Sequence, residues 1–305
     1  MMRRIFSVIL MVLSTAACAG TASESVTAPD GTYRVIATTS VFADLAKMAL
    51  GDSAQIESIV PAGIDVHTFQ PSPSDVEKIQ SADLIIANGL GLDSWIESLI
   101  EASGKGEVDT LLLGEGLDQE SGWVYLNNVE TAGALDPHIW LDPKGAILYV
   151  QRIADRVSRD APDLAQRIAV SSANGINKIQ AFDQDLAAQF AAIDPARRKI
   201  VTMHDAFGYL ARAYKIEIVG VAVASPGQDP SAQEIRALID AIRAAGVTAL
   251  FSEVQLPSKV LDQIAAETGT TVLQDLYSDA LGASPADSYL GLMRTNADAI
   301  LGAMR

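Results

Sequence analysis

Two kinds of hydrophobic segment alternate along most of this chain. Short runs of β-branched and aliphatic residues are typical of buried strands, and the longer segments between them carry apolar residues at three- and four-residue steps, as helices do. The predicted strands are 33–39, 55–60, 83–87, 110–113, 199–203, 217–223, 249–252 and 271–276. The predicted helices begin with one capped by Ser40 and continue with 73–81, 95–102, 143–157, 162–193, 206–214, 231–245, 257–268 and 286–304. This alternation predicts parallel sheets with helices on both faces.

One helical segment in mid-chain is much longer than the others. Apolar residues recur at helical spacing from Leu164 to Ile193, and Gly175 is the only weak point. About 30 helical residues span roughly 45 Å at 1.5 Å per residue, so this helix can act as a strut. The pattern therefore predicts an α/β protein of two lobes, each with a parallel sheet flanked by helices, joined by one long rigid helix. The expected boundaries are 33–143 for the N-terminal lobe, 144–196 for the helical connector and 197–305 for the C-terminal lobe.

Residues 114–135 show neither a strand nor a helix period. They are rich in glycine and acidic residues, and they lead directly into His138. A loop of this length in a compact domain is usually functional or mobile. The segment is therefore interpreted either as a lid over a site near His138 or as ordinary surface.

The first 20 residues have the pattern of a secretory signal peptide. Two arginines precede a mainly apolar stretch of nine residues, Ile5 to Leu13, which is too short to span a bilayer, and small residues follow. Cleavage before Cys18 would leave a cysteine for a lipid anchor, whereas cleavage after Ala19 would give a soluble protein. The leucine common three residues before a lipidated cysteine is replaced by Thr15, which favours the soluble form. We expect a periplasmic protein with a flexible lead-in at 21–32.

Charge and cysteine content narrow the classes of function. The 305 residues carry a net charge of −16, which argues against nucleic-acid binding and favours attraction of cations. Cys18 is the only cysteine, so an intrachain disulfide and thiolate metal ligation are excluded. No segment after residue 20 is long and apolar enough for a transmembrane helix.

The chain has only three histidines, and each lies in a context that suits a metal ligand. His67 follows the second predicted strand, His138 lies in the connection that leaves the first lobe, and His204 lies at the carboxyl end of the fifth predicted strand. Ligands in open α/β sheets bind beyond the carboxyl ends of the strands, so the three imidazoles can converge on one cleft between the lobes. A fourth ligand is expected from Glu253 or Asp279, which follow later strands.

Two motifs resemble the cluster A-I metal-binding proteins of ABC transporters. The run from His67 to Asp75 is similar to their His-x-aromatic-x-Pro-x-Pro-x-Asp signature, and Asp136 to Pro143 is similar to their second signature. The resemblance covers essentially the whole mature chain. It implies two α/β lobes with a rigid helical connector and a metal bound by His67, His138, His204 and Asp279, which falls where the family has an aspartate soon after the last strand.

The resemblance also bears on the identity of the metal. Manganese members of the family typically have a glutamate at the position of His204, whereas three imidazoles and one carboxylate suit tetrahedral Zn²⁺. Many zinc members carry a histidine-rich loop, but residues 114–135 contain no histidine. The pattern is most similar to the AztC-type zinc-binding proteins. Zn²⁺ is the expected metal, with Mn²⁺ as the alternative.

The expected function is capture of a divalent metal outside the cytoplasm and its delivery to the membrane permease of an ABC transporter. The protein is expected to be a monomer, and a metallochaperone is a candidate for a further partner. A zinc hydrolase with Glu253 as its base and a metal-stabilised adhesin are the alternatives; four protein ligands favour binding without catalysis. Carboxylates expected to support the ligands are Asp65, Asp142, Asp205 and Glu253. Trp140 is expected to pack in the core. Because imidazole must be neutral to bind a metal, affinity is expected to fall below about pH 6.

Overall fold

A computed structural model of the chain describes residues 32–127 and 134–305. The predicted signal peptide, Cys18, all of the lead-in except Thr32, and residues 128–133 of the long loop lie outside the described residues. Among the helices that are described, none has both the length and the hydropathy that crossing a bilayer requires.

The N-terminal half contains a parallel sheet of four strands. They are β1 (Tyr33–Ala37), β2 (Ala54–Ser58), β3 (Leu84–Ala87) and β4 (Thr110–Leu112), in the spatial order β2-β1-β3-β4. In the central strand, Val35 pairs with Ile56 on one side and with Leu84 on the other. Because β1 and β3 are buried on both faces, their sequences are nearly continuous apolar runs.

The helices of this half are α1 (Ser40–Leu50), α2 (Pro73–Gln80), α3 (Ile96–Ser103), α4 (Leu117–Ser121) and α5 (Pro143–Asp160). The N-cap of α1 is Thr39, and the prediction of Ser40 was wrong. The Thr39 side chain accepts a hydrogen bond from the backbone N–H of Phe42, while the hydroxyl of Ser40 accepts one from the distant N–H of Leu281. The short helix α4 lies in the segment that showed no period.

The C-terminal half repeats the same strand order. Its strands are β5 (Lys199–His204), β6 (Glu217–Val223), β7 (Ala249–Glu253) and β8 (Thr271–Leu276), arranged β6-β5-β7-β8 and all parallel. The flanking helices are α7 (Gly208–Tyr214), α8 (Ala232–Ala245), α9 (Lys259–Thr268) and α10 (Tyr289–Met304). Strands β5 and β7 end at His204 and Glu253, so their carboxyl ends place these side chains at one edge of the sheet.

The long helix α6 (Ala165–Ala191) lies between the two halves and packs on both. It contacts α1 and α5 of the first half and α7 and α10 of the second. At Gly175 the helix passes so close to α1 that an added Cβ would lie 2.8 Å from the backbone oxygen of Met48. Glycine is therefore needed at the crossing, although it lowers helix propensity.

One hydrophobic core extends across both halves. It includes Val35, Trp140, Ile200 and Tyr289, all fully buried or nearly so. Trp140 makes an edge-on contact with Phe42 at a ring-centroid distance of 5.0 Å. The predicted fold class of two α/β lobes joined by a long helix is confirmed, as is the core position of Trp140. The exact lobe boundaries at 143, 144, 196 and 197 stay predictions.

Candidate metal centre

Four different segments carry the side chains of the candidate site. His67 lies in the loop between β2 and α2, and His138 lies just before a short 3₁₀ turn that leads into α5. His204 is the last residue of β5, and Asp279 follows β8. The loop of His67 is shaped by Asp65, whose Oδ1 accepts hydrogen bonds of 2.9 Å from both the backbone N–H and the hydroxyl of Thr68.

The structure brings all four predicted site residues together. The Nε2 atoms of His67 and His138 lie 3.5 and 3.4 Å from the carboxylate oxygens of Asp279, and the Nε2 of His204 lies 3.8 Å away. One potential ligand atom from each of the four residues lies within 4.8 Å of the others. A tetrahedral ion with bonds of about 2.0 Å spaces its ligand atoms about 3.3 Å apart, so small movements suffice for all four to reach one ion.

The converging atoms have no hydrogen-bond partner among the residues that the structure describes. His138, His204 and Asp279 are at most 2% exposed, and the side chain of His67 is 15% exposed. The three Nε2 atoms and Oδ1 of Asp279 are buried without a hydrogen bond of ordinary geometry among the described residues. A buried polar atom without a hydrogen-bond partner destabilises the fold and is rare in native proteins. Four such atoms facing one point therefore indicate that a bound ion supplies the missing partner.

Carboxylates contact the opposite side of two of the imidazole rings. Oδ1 of Asp136 lies 2.8 Å from Nδ1 of His138 and also accepts the backbone N–H of that residue at 2.9 Å. Oε1 of Glu253, which is fully buried, contacts Nδ1 of His204. Each contact favours a proton on Nδ1, which leaves the Nε2 lone pair free for a cation.

The four carboxylates that were predicted to support the ligands have different roles in the structure. Glu253 supports His204 as predicted, whereas Asp65 shapes its own loop and Asp142 caps α5 by accepting the N–H of Lys144. Asp205 is buried beside His204, and its role stays a prediction. Sequence reasoning missed Asp136. Its position in the sequence could have indicated this role. Asp136 lies two residues before His138, with Pro137 between them, and this spacing lets its carboxylate reach the imidazole ring of His138.

The charges at the site shift the pKa values of His138, His204 and Asp279. Burial disfavours a charged imidazole, but the carboxylates of Asp136 and Asp279 outweigh burial and raise the pKa of His138 to about 10. Burial also opposes charge on His204, yet Glu253 and Asp279 raise its pKa. For Asp279, burial acts against ionisation, but His138 and His67 hold its pKa well below the usual range. A metal ion must therefore displace protons when it binds.

The fold and this buried cluster define a class of protein, a two-lobed binding protein with a candidate metal site between its halves. Comparison with known families agrees, because the model of the family described as "Zinc-uptake complex component A periplasmic" matches residues 35–303. This chain belongs to that family. The family consists of solute-binding proteins of ABC transporters and not of enzymes, so the protein is a metal-binding substrate-binding component that works with a membrane permease.

Individual relatives are similar along almost their whole length. The chain is 28% identical over 306 aligned positions to "Iron ABC transporter substrate-binding lipoprotein MtsA" of Streptococcus pyogenes, covering 98% of this chain and 97% of that one. It is 29% identical to "Manganese ABC transporter substrate-binding lipoprotein scaA" of Streptococcus gordonii, covering 96% and 95%.

Solved structures share the fold. The periplasmic zinc-binding protein TroA from Treponema pallidum has a TM-score of 0.80 at 24% identity, covering 90% of this chain and 99% of that one. A manganese-bound periplasmic metal-binding protein from Candidatus Liberibacter asiaticus has a TM-score of 0.78 at 24% identity, covering 90% and 100%. The resemblance to this family of transport proteins is confirmed, and the closer likeness to AztC-type proteins stays a prediction.

Proposed function

We propose that this protein captures Zn²⁺ outside the cytoplasm through His67, His138, His204 and Asp279 and delivers it to its ABC importer. The observation that carries the proposal is the convergence of three buried imidazole nitrogens on the carboxylate of Asp279, each without a hydrogen-bond partner in the described part of the chain. Four protein ligands fill a tetrahedral shell, which suits binding and release of an ion.

The donor set favours zinc over manganese. Three imidazoles and one carboxylate form a compact, nitrogen-rich site, whereas Mn²⁺ prefers more oxygen ligands. Two streptococcal relatives carry manganese in their names and a third carries iron, which supports Mn²⁺ as the second candidate. The proposal for zinc rests on the residues of this chain, above all on an imidazole at His204.

The proposed location is extracytoplasmic, with the signal peptide and its cleavage site within residues 1–20. Relatives named as lipoproteins favour acylation of Cys18 more strongly than the sequence alone, in which Thr15 favours a soluble protein. Expression of wild type and Cys18→Ala, followed by separation of membrane and soluble fractions, distinguishes the two. A lipid anchor predicts that only the variant is soluble. A monomeric state and a metallochaperone partner remain parts of the proposal.

Competition between zinc and manganese in metal-free protein tests the choice of metal. We expect zinc to displace bound manganese completely at equal concentrations. A His204→Glu variant replaces one nitrogen ligand with oxygen, and we expect it to lose zinc affinity and to gain preference for manganese. Equal competition by the two metals in both proteins would contradict the proposed role of His204.

The site itself is tested by Asp279→Asn beside a matched variant, Asp275→Asn. Both remove one negative charge, but Asp275 is exposed on β8 and lies outside the cluster. We expect Asp279→Asn to weaken zinc binding by orders of magnitude and Asp275→Asn to leave it unchanged, as measured by titration against a chromophoric chelator. Equal zinc affinity of the two variants would remove Asp279 from the ligand set.

A further inference from the structure

The long loop before His138 is fastened to a helix of the C-terminal half. The guanidinium carbon of Arg212 on α7 lies 4.7 Å from the ring centroid of Trp123 and 4.9 Å from that of Tyr209. The same guanidinium donates a hydrogen bond to the backbone oxygen of Val124. A guanidinium over the face of an aromatic ring is attracted by the ring electrons, so these contacts hold the segment from Trp123 to Leu126 against α7.

The hydroxyl of Tyr209 lies at the centre of this arrangement. It accepts the backbone N–H of Leu126 at 3.1 Å and donates to the backbone oxygen of Asp136 at 3.0 Å. The backbone N–H of Asp136 in turn donates to the oxygen of Leu126 at 2.8 Å, so one hydroxyl joins two paired segments of chain. Tyr209 is fully buried, and burial together with the charge of Asp136 raises its pKa to about 12, which keeps the hydroxyl protonated.

The packing around Asp136 leaves its carboxylate little freedom. An added Cβ at Gly208, the first residue of α7, would lie 2.7 Å from Oδ2 of Asp136. The other oxygen of the carboxylate faces Nδ1 of His138. A shift of the Asp136 backbone would therefore turn the carboxylate away from the imidazole that it orients.

We infer that Tyr209 is a positioning residue for metal capture, whose hydroxyl fixes Asp136 and, through Asp136, the ring of His138. The inference rests on the proposed function, since His138 is a ligand only if the cluster binds the metal. Tyr209 belongs to the C-terminal half, which also supplies His204 and Asp279, whereas His138 lies in the segment that leaves the N-terminal half. One hydroxyl thus ties a ligand of the first half to the half that carries two others.

The test is a double-mutant cycle in full-length protein with Zn²⁺ as the probe. Tyr209→Phe removes only the hydroxyl, and we expect it to weaken zinc binding about tenfold, as loss of an outer partner of a metal ligand typically does. Asp136→Asn is expected to weaken binding at least as much. If Tyr209 acts through Asp136, the two changes are not additive, and Tyr209→Phe costs less than about twofold in the Asp136→Asn background.

Tyr214→Phe is the matched control. Tyr214 lies on the same helix and is also buried, and its hydroxyl donates to Oδ1 of Asp183 at 3.0 Å on α6. We expect both tyrosine variants to lose comparable thermal stability without metal, but only Tyr209→Phe to lose zinc affinity. In the zinc-bound protein, the ¹⁵N signals of the three histidine rings report on orientation directly, and only the His138 signal should shift in Tyr209→Phe.

The outcomes separate this inference from the proposed function. Equal zinc affinity of Tyr209→Phe and Tyr214→Phe would overturn the inference, and so would a tenfold penalty that persists in the Asp136→Asn background. If His138→Ala binds zinc as tightly as wild type, the ligand assignment itself is wrong. If His138→Ala is severe while Tyr209→Phe is neutral, only the role of Tyr209 fails.

Discussion

At the scale of single residues, the site consists of side chains that can bind the metal and of carboxylates that orient those side chains. Three Nε2 atoms and one carboxylate face a common point, and Asp136 and Glu253 hold the far sides of two rings. The three imidazoles follow from the sequence, because histidines are so few here that their grouping is informative, whereas Asp279 was chosen over Glu253 only through the family resemblance. The outer carboxylates do not follow from the sequence, since the chain has 38 acidic residues and most of those that the structure describes are exposed.

Glu253→Gln is expected to weaken zinc binding about tenfold. The amide keeps the size of the side chain but lacks the negative charge that stabilises the proton on Nδ1 of His204. Glu217→Gln on the exposed surface of β6 is the control and should bind zinc as wild type does. A chelator competition titration measures both, and unchanged affinity in Glu253→Gln would show that His204 orients itself without help.

The difference in melting temperature between zinc-bound and metal-free protein is expected to widen as pH rises from 6 to 9. The pKa of His138 is raised from 6.5 to about 10, so its protonation stabilises the metal-free fold fully below pH 6.5, and this stabilisation is lost as pH rises through 10. Zinc binding requires neutral rings and strengthens over the same range. The expected pH dependence therefore extends well above the value of about 6 predicted from unperturbed histidine.

Calorimetry supplies the measurement for this pH prediction. Melting curves of both forms across the range give the difference, and zinc titrations in buffers of different ionisation enthalpy give the number of protons released. We expect at least one proton released per zinc at neutral pH, because the pKa of His138 lies above 7. A constant temperature difference with no proton release would mean that His138 is neutral before the metal binds.

At the scale of elements, apolar runs predicted the central strands β1, β3, β5 and β7, because parallel strands buried on both faces need nearly continuous hydrophobic sequence. The local sequence did not predict the N-cap of α1 correctly, because two adjacent residues are both suited to that position. Thr39 and Ser40 can both cap α1, and the N–H of Leu281, far along the chain, engages Ser40. The helix α4 was not predicted, because its five residues are too few to show a helical period.

Gly175→Ala is expected to destabilise the protein although alanine favours helices. The new Cβ would meet the backbone oxygen of Met48 at 2.8 Å, and overpacking at a helix crossing costs about 1–3 kcal/mol. Gly302→Ala in α10 is the matched control, because its Cβ would meet nothing within 4 Å. Urea unfolding should show opposite signs for the two variants. A stabilised Gly175→Ala would mean that α6 can move away from α1.

At the scale of the molecule, charge is divided unevenly between the two halves. Residues 33–143 contain 18 acidic and 4 basic residues, a net charge of −14 out of −16 for the whole chain. Residues 197–305 contain 12 acidic and 10 basic residues. The N-terminal half therefore supplies nearly all of the negative potential that draws a divalent cation towards the cleft.

The association rate of zinc is expected to fall about tenfold between 10 and 200 mM sodium nitrate, since salt screens the field that steers the ion. The dissociation rate should change little, because the bound ion is buried among its ligands. Stopped-flow mixing with a zinc indicator measures the first rate, and excess chelator measures the second. Equal salt sensitivity of both rates would show that the surface charge does not steer the ion.

The sequence by itself determined the alternation of strands and helices, the long central helix and the four residues of the candidate site. These properties depend on local periodicity, on the rarity of histidine and on motifs that persist through a family. Only the tertiary structure decided which carboxylates contact two of the imidazoles, which hydroxyl caps α1, and why α6 carries a glycine. Most of these depend on contacts between residues far apart in the chain, such as His204 with Glu253, Ser40 with Leu281 or Gly175 with Met48, and such contacts form only when the chain folds.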